Sequence, residues 1–360
     1  MAMAIAFVTY SQEEMKTVWE KSYEHKTNWV GTGLEGELSY ISDQKSITVF
    51  KTTDGSIVWS KPFKDLAPKL RKVDELIPFW DSKCIFLFEK KGGKDQIAVV
   101  DIENGNLLWN TDKYKNLSEQ NVVYISEEDA FALSLEESLN YVKARTGEEV
   151  WESSKFKGVV GKYIYENGFI TAINISPTGL KGLFKGFKNQ LARINLSNGD
   201  IIWETIYKGV TERKVLTKEP VFDLVKDGDK LFLYLNGIQV YDYNTGAQLW
   251  SASYEETPKI IGAPGAGVGG KTIAWGVYGG VAKPVRVGND VYVIEMNKKS
   301  DQKIKKYDFN SGKLLWTSPE IKGAKALPNL FVIEDRVVVQ VGGVLETQLI
   351  QDVKDGDGNV

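Results

Sequence analysis

The chain is predicted to be all-β, a propeller of four-stranded antiparallel blades. One phrase, a polar turn ending in Gly followed by three residues and then Trp, recurs six times. Short runs with period-2 alternation precede the copies, and no stretch keeps a long helical period. The Trp-to-Trp spacings are 50, 42, 52, 47 and 66 residues. Repeats at such a period mark arrays of supersecondary units, each too small to bury its apolar face alone.

Taken in order, the copies read TTDGSIVW to Trp59, IENGNLLW to Trp109, ARTGEEVW to Trp151, LSNGDIIW to Trp203, YNTGAQLW to Trp250 and FNSGKLLW to Trp316. Their glycines are Gly55, Gly105, Gly147, Gly199, Gly246 and Gly312. An alternating run before each turn, such as Ile47-Thr48-Val49-Phe50, and a second apolar run after it read as a β-hairpin. Asn, Asp, Thr and Ser suit a type I turn, and Gly then takes the left-handed position of a G1 bulge. Each Trp sits at one fixed offset from its turn, so each should fill an equivalent seam between sheets, its faces buried and its N–H bonded. That structural role is favoured over six aromatic ligand platforms.

Each interval has room for a four-stranded sheet, and such sheets repeated radially form a propeller. In the fifth repeat, Pro220–Val225 and Lys230–Leu235 supply the upstream strands. At the C-terminal end, Leu330–Ile333, Val337–Val341 and Thr347–Ile350 read as strands with no following Trp phrase. At the N-terminal end, Lys16-Thr17-Val18-Trp19-Glu20 resembles a closing strand such as Gly312–Trp316 with no hairpin before it. Joining the two ends gives seven blades in a ring closed by the N-terminal strand. Eight follow if the natural chain continues past Val360. Residues 1–14, a signal-peptide remnant or a disordered N-terminus, then stand apart from a single propeller domain over 15–360.

The pattern hydrophobic-x-Asp-x-x-x-Gly-x-x-x-Trp, clearest from Val240 through Asp242 to Trp250, resembles the repeat of the quinoprotein (PQQ-type) β-propellers. The likeness covers about residues 15–350. That superfamily holds both PQQ-dependent alcohol dehydrogenases and the non-enzymatic outer-membrane assembly lipoprotein BamB, so it implies a fold and leaves function to the site. In its PQQ enzymes, adjacent cysteines form a vicinal disulfide over the cofactor, and an acidic residue serves as base beside Ca²⁺. Cys84 is the one cysteine here, so the disulfide signature is missing and no PQQ cofactor is expected.

Composition removes other classes. The net charge of −3 with mixed signs gives no electrostatic case for nucleic acid. One His, His25, excludes His-cluster metal sites and any Ser-His-Asp or Cys-His arrangement. No apolar run reaches the ~20 residues of a membrane-spanning helix. Ala2–Val8 followed by Thr9-Tyr10-Ser11-Gln12 looks like the tail of a secretory signal without its basic start. A periplasmic or extracellular location is therefore expected, and the resemblance points the same way.

Three segments remain. Gly265–Thr272 matches the phosphate-loop pattern G-x-x-x-x-G-K-T letter for letter, but that motif works only where the loop opens a helix. The next residues, Ile273-Ala274-Trp275-Gly276-Val277, are strand-like, so a Gly-rich propeller loop is expected and nucleotide is not. Asp355, Asp357 and Asn359 place oxygen donors at alternate positions as in a Ca²⁺ loop, against the plainer reading of a solvated turn. Between the strands Ile170–Ile173 and Leu191–Ile194, the loop bearing Lys181, Phe184, Lys185, Phe187 and Lys188 interleaves cations with apolar residues among glycines. Such a tip would meet a protein partner or an anionic membrane surface, unless its phenylalanines fold back on the blade. The function expected is a non-catalytic envelope scaffold that presents loops to an envelope or secreted protein. The alternatives are an enzyme, quinoprotein-like or carbohydrate-active, and the sensor or ligand-binding domain of a larger protein.

Overall fold

The computed structural model describes residues 17–20, 23, 26–90, 95–114, 117–135, 138–175, 188–207, 221, 223–235, 238–252, 261–262, 276–277, 284–296, 302–320, 329–333, 336–341 and 349–353. Strands dominate. Among the described residues the helical segments are one four-residue turn, α1 (Phe63–Leu66), and three short 3-10 turns.

Six four-stranded sheets follow one another along the chain. The first joins β1 (Trp29–Gly33), β2 (Leu38–Ser42), β3 (Ser46–Lys51) and β4 (Ile57–Pro62). β5 (Glu75–Phe79), β6 (Cys84–Glu89), β7 (Gln96–Asp101) and β8 (Leu107–Thr111) form the second. The third comprises β9 (Val122–Ile125), β10 (Ala130–Ser134), β11 (Leu139–Lys143) and β12 (Glu149–Ser153). In the fourth are β13 (Val159–Glu166), β14 (Phe169–Ile175), β15 (Gln190–Asn195) and β16 (Ile201–Ile206). The fifth holds β17 (Asp223–Asp227), β18 (Lys230–Tyr234), β19 (Ile238–Asp242) and β20 (Gln248–Ala252). A two-stranded ribbon, β21 (Ile261–Gly262) and β22 (Gly276–Val277), precedes the sixth. That sheet is β23 (Val285–Val287), β24 (Asp290–Met296), β25 (Gln302–Asp308) and β26 (Leu314–Thr317). A three-stranded sheet of β27 (Asn329–Ile333), β28 (Arg336–Val341) and β29 (Leu349–Val353) ends the series.

Each four-stranded sheet is a meander with strands in sequence order, the blade of a propeller-type all-β fold. Burial falls from the inner strands outward. Every residue of β6 and β10 is buried, as Cys-Ile-Phe-Leu-Phe-Glu and Ala-Phe-Ala-Leu-Ser require with both faces covered. The last strands, such as β4 and β16, alternate between buried and exposed positions instead.

The chain gathers into two compact units, Met1–Glu119 with Tyr124–Phe131 and Val142–Glu148, and Gln120–Val123 with Ala132–Tyr141 and Glu149–Val360. In the first, Ile47, Val49, Leu66, Ile85, Leu87, Val100 and Ile102 share one apolar cluster. Phe86 meets Trp109 and Phe131 edge to face, with ring centroids 5.7 and 5.1 Å apart. The second unit holds one cluster around Leu191, Trp203, Leu231, Leu233 and Tyr241. Another surrounds Phe232, Val240, Val293 and Ile304, with Phe232 stacked on Phe309 at 4.1 Å.

Two expectations need adjustment. Residues 17–20 carry no strand pairing, so the closing strand expected there is not seen among the described residues. The described part of the fifth sheet starts at Asp223 and Val221 is not in a strand, while Pro220 and Phe222 of the strand expected there lie outside the described residues.

Candidate interaction site

The scaffold is built first by its turns. In all six hairpins the Gly amide donates to the carbonyl four residues back, for example Gly199 to Asn195 at 2.8 Å and Gly246 to Asp242 at 2.8 Å. The six glycines have φ between 66° and 74°, the left-handed region where a side chain is penalised. Register shifts follow Val49, Val99, Arg193, Val240 and Lys306, each a bulge whose extra residue (Val58, Leu108, Ile202, Leu249 or Leu315) immediately precedes the Trp. Asp242 and Asp308 organise their turns from the side chain. Asp242 Oδ1 accepts from the Asn244 and Thr245 amides and the Thr245 hydroxyl, and Asp308 Oδ1 accepts likewise from Asn310 and Ser311. Those bonds, the hydroxyl contacts foremost, hold both carboxyls below their ordinary range.

Each Trp packs on the Gly of the following repeat rather than on its own. A methyl group on Gly55, Gly105, Gly147, Gly199, Gly246 or Gly312 would come within 2.3–2.8 Å of the ring of Trp19, Trp59, Trp109, Trp151, Trp203 or Trp250, respectively. The indole N–H then donates to the carbonyl three residues before that Gly. Trp19 reaches Thr52 at 2.6 Å, Trp59 reaches Ile102 at 2.7 Å and Trp109 reaches Ala144 at 2.8 Å. Trp151 reaches Leu196 at 2.7 Å and Trp203 reaches Tyr243 at 3.1 Å. The sixth seam differs: Trp250 packs on Gly312, yet its buried N–H meets no acceptor among the described residues. Trp19 makes the same contact as the others without belonging to a strand. Trp316 is half-buried beside the last apolar cluster.

Charged latches flank these seams. Arg145 donates to the Ser82 carbonyl at 2.8 Å and pairs with Asp101 at 3.3 Å. Arg286 pairs with Asp227 and lies 3.3 Å from the Phe309 ring centre. Glu166 binds both Lys226 and Arg193, and both cations face the Tyr243 ring. The Lys226 hydrogen bond draws the Glu166 carboxyl below its usual range. Beside Arg145, the Tyr124 hydroxyl donates to Asp129, and burial with that carboxylate pushes its pKa up to about 12.

The basic and apolar loop leaves the fourth sheet between β14 and β15, as its flanking strands predict. Lys181, Phe184, Lys185 and Phe187 lie outside the described residues, while Lys188 is described and exposed. Both ends of the loop are pinned by two buried amides. Asn174 Nδ2 donates to the Lys157 and Lys188 carbonyls at 2.6 and 3.0 Å, and Asn174 Oδ1 accepts from the Gln190 amide at 2.7 Å. Gln190 Oε1 accepts from the Lys157 amide at 3.1 Å, and its Nε2 donates to the Lys155 carbonyl at 3.0 Å. Asn174 and Gln190 are 1% and 4% exposed, and buried amides so fully bonded fix local geometry. Sequence reasoning missed them, because a polar residue at a strand end carries no periodic signal.

Gly265–Thr272 and Asp355, Asp357 and Asn359 also lie outside the described residues. Beyond the first of these, β22 pairs with β21 as a strand. Cys84 is buried, its thiol donating to the Ser82 carbonyl at 3.3 Å, and burial raises its pKa. A lone thiol held this way does not fit the paired-cysteine cover that the quinoprotein resemblance implies. Among the described residues no three His, Cys, Asp or Glu side chains gather as a metal site.

A family model described as outer membrane protein assembly factor BamB matches residues 6–205 and 235–359. No curated protein sequence matches the chain. Among solved structures it is similar to BamB from Moraxella catarrhalis, at 15% identity over 87% of this chain and 79% of that one, with a TM-score of 0.37. It is similar to Saccharomyces cerevisiae Sqt1, at 11% identity, 93% and 86% coverage and a TM-score of 0.43. A europium-containing methanol dehydrogenase matches at 12% identity, 88% and 84% coverage and a TM-score of 0.37.

Proposed function

The chain belongs to the family of outer membrane protein assembly factor BamB, and from that premise we propose that it is a non-catalytic scaffold of the cell envelope that presents loops to a protein partner. One observation carries this reading. The buried Asn174 and Gln190 pair fixes both ends of the loop bearing Lys181, Phe184, Lys185, Phe187 and Lys188. A loop held so firmly at its base is a presented element, and loops on rigid scaffolds are where binding concentrates. The indoles of Trp19, Trp59, Trp109, Trp151, Trp203 and Trp250 are meanwhile packed on glycines, which supports a structural role for them over that of ligand platforms. Export and one propeller domain over residues 15–360, with seven blades, belong to the same proposal. No helix among the described residues is long and apolar enough to cross a membrane.

The test is photo-crosslinking from positions 181 and 185 in native envelopes. Capture of a defined protein, lost when Asn174→Ala releases the loop base, is expected. Failure of both positions to capture any protein would refute the loop as the docking element.

The C-terminal residues bear on the same reading. Asp352, in β29, stands four residues before Gly356, the same interval as Asp242 to Gly246 and Asp308 to Gly312. That spacing supports the turn reading of Asp355, Asp357 and Asn359 over the Ca²⁺ one. Gly356→Val should lower the unfolding midpoint, and millimolar Ca²⁺ should leave it unmoved. A Ca²⁺-dependent rise would restore the metal reading.

A further inference from the structure

The outermost strands differ in how well their free edges are guarded. An edge strand offers a row of unpaired N–H and C=O groups, and natural proteins blunt it with Pro, Lys or shortness. β4 is six residues long but ends in Lys61-Pro62, and Lys61 is tied to the Gly105 carbonyl at 2.6 Å. β8, β12 and β20 have five residues each and β26 has four. β16 has six, Ile201-Ile-Trp-Glu-Thr-Ile206, with no Pro or Lys. It is the last strand of its sheet.

Side chains at 202, 204 and 206 share one face of β16, since strand residues alternate. Ile202 and Ile206 are 54% and 45% exposed, and Glu204 between them is exposed as well. The other face is occupied, with Trp203 buried. The exposed face therefore reads aliphatic, acidic, aliphatic along a strand to whose outer side no other strand pairs among the described residues.

We infer that the edge of β16 is a docking site for an extended segment of a partner protein that carries an aliphatic, a basic and an aliphatic residue at alternate positions. Charge selects this occupant over a second copy of the chain. Two β16 strands pairing antiparallel in the register centred on Glu204, which aligns their Ile202 and Ile206, would place Glu204 directly opposite Glu204, and like charges facing across a ladder oppose pairing. A Lys or Arg at the facing position turns that repulsion into attraction, while the flanking aliphatics cover Ile202 and Ile206. The inference rests on the scaffold reading and goes beyond it by naming the surface and the chemistry of what binds.

The probe is an acetylated, amidated heptapeptide with valine at its second and sixth positions, lysine at its fourth and threonine elsewhere. A second peptide has glutamate at the fourth position. Titration into the purified full chain, followed by amide chemical shifts, should favour the lysine peptide by about three- to tenfold, the range that opposite against like cross-strand charges supply. Glu204→Lys should invert the preference and Glu204→Gln should abolish it, with the far-ultraviolet spectrum unchanged in both. Glu204→Val should self-associate in sedimentation, because the charge that blocks self-pairing is gone. Equal binding of the two peptides, no binding of either, or a preference that survives Glu204→Gln would overturn the assignment. Self-association of the unaltered chain through β16 would do the same. Because the crosslinking above uses a different loop, its success with failure here would sink the edge site alone.

Discussion

Replacing Gly199 by Ala perturbs two things at once, and the fourth sheet contains the control that separates them. Gly199 has φ +74° and Gly168, in the β13–β14 turn, has φ +79°. Both sit in the left-handed region, where an L side chain costs about 1–2 kcal/mol. A methyl group at Gly168 would meet nothing within 4 Å, whereas one at Gly199 would come within 2.7 Å of Trp151 Cδ2 and Cε3. The indole cannot simply retreat, because its N–H is bonded to the Leu196 carbonyl and its ring is stacked on Tyr141 at 5.3 Å. Forcing a group into a packed site of this kind adds about 1–3 kcal/mol. Gly168→Ala should therefore cost about 1–2 kcal/mol and Gly199→Ala about 2–5 kcal/mol, adding the packing cost to the conformational one. Urea unfolding followed by circular dichroism measures both, and the midpoint ordering suffices where repeats unfold in steps. Equal losses in the two variants would refute the claim that the glycine is needed for the approach of the indole as well as for its backbone.

The seams and turns give further expectations. Trp151→Phe removes a buried hydrogen bond and strands the Leu196 carbonyl, so it should destabilise more than Trp250→Phe by about 1 kcal/mol or more in the same assay. Asn174→Ala should cost about 1–3 kcal/mol through its unpaired buried partners, and should increase proteolytic nicking between 176 and 187; an unchanged nicking rate would show that the clamp does not order the loop. The folded-state carboxyls of Asp242 and Asp308 lie below their unfolded values. Their stabilising contribution is thus complete above the unfolded pKa of about 3.9 and is lost as pH falls through the lower folded values. The double variant Asp242→Asn with Asp308→Asn, which keeps the acceptor oxygens, should flatten stability against pH below about 4, as read from thermal midpoints between pH 2 and 6.

Much of this molecule is written locally. The hairpins were legible because a Gly that must take a positive φ, polar turn residues just before it and a Trp four residues later are short-range requirements of one turn and one bulge. The loop between β14 and β15 was legible for the same reason, as an interruption between two alternating runs. Asp355, Asp357 and Asn359 stayed open between a solvated turn and a Ca²⁺ loop, because oxygen donors at alternate positions suit both.

Tertiary structure decided which surfaces meet. The sequence assigned each Trp to a seam between sheets without its partner, which for Trp151 is Gly199 and for Trp203 is Gly246, one repeat downstream in each case. It left Asn174 and Gln190 looking like ordinary polar residues, though they clamp a loop. It could not tell an exposed Ile202 from a buried Ile194, two isoleucines in strands of one hairpin. Backbone hydrogen bonds and turn strain act over a few residues, so spacing along the chain records them. Packing between sheets joins residues some 40 to 60 positions apart, and it depends on side-chain shape and on which face a neighbouring strand covers, which spacing does not record.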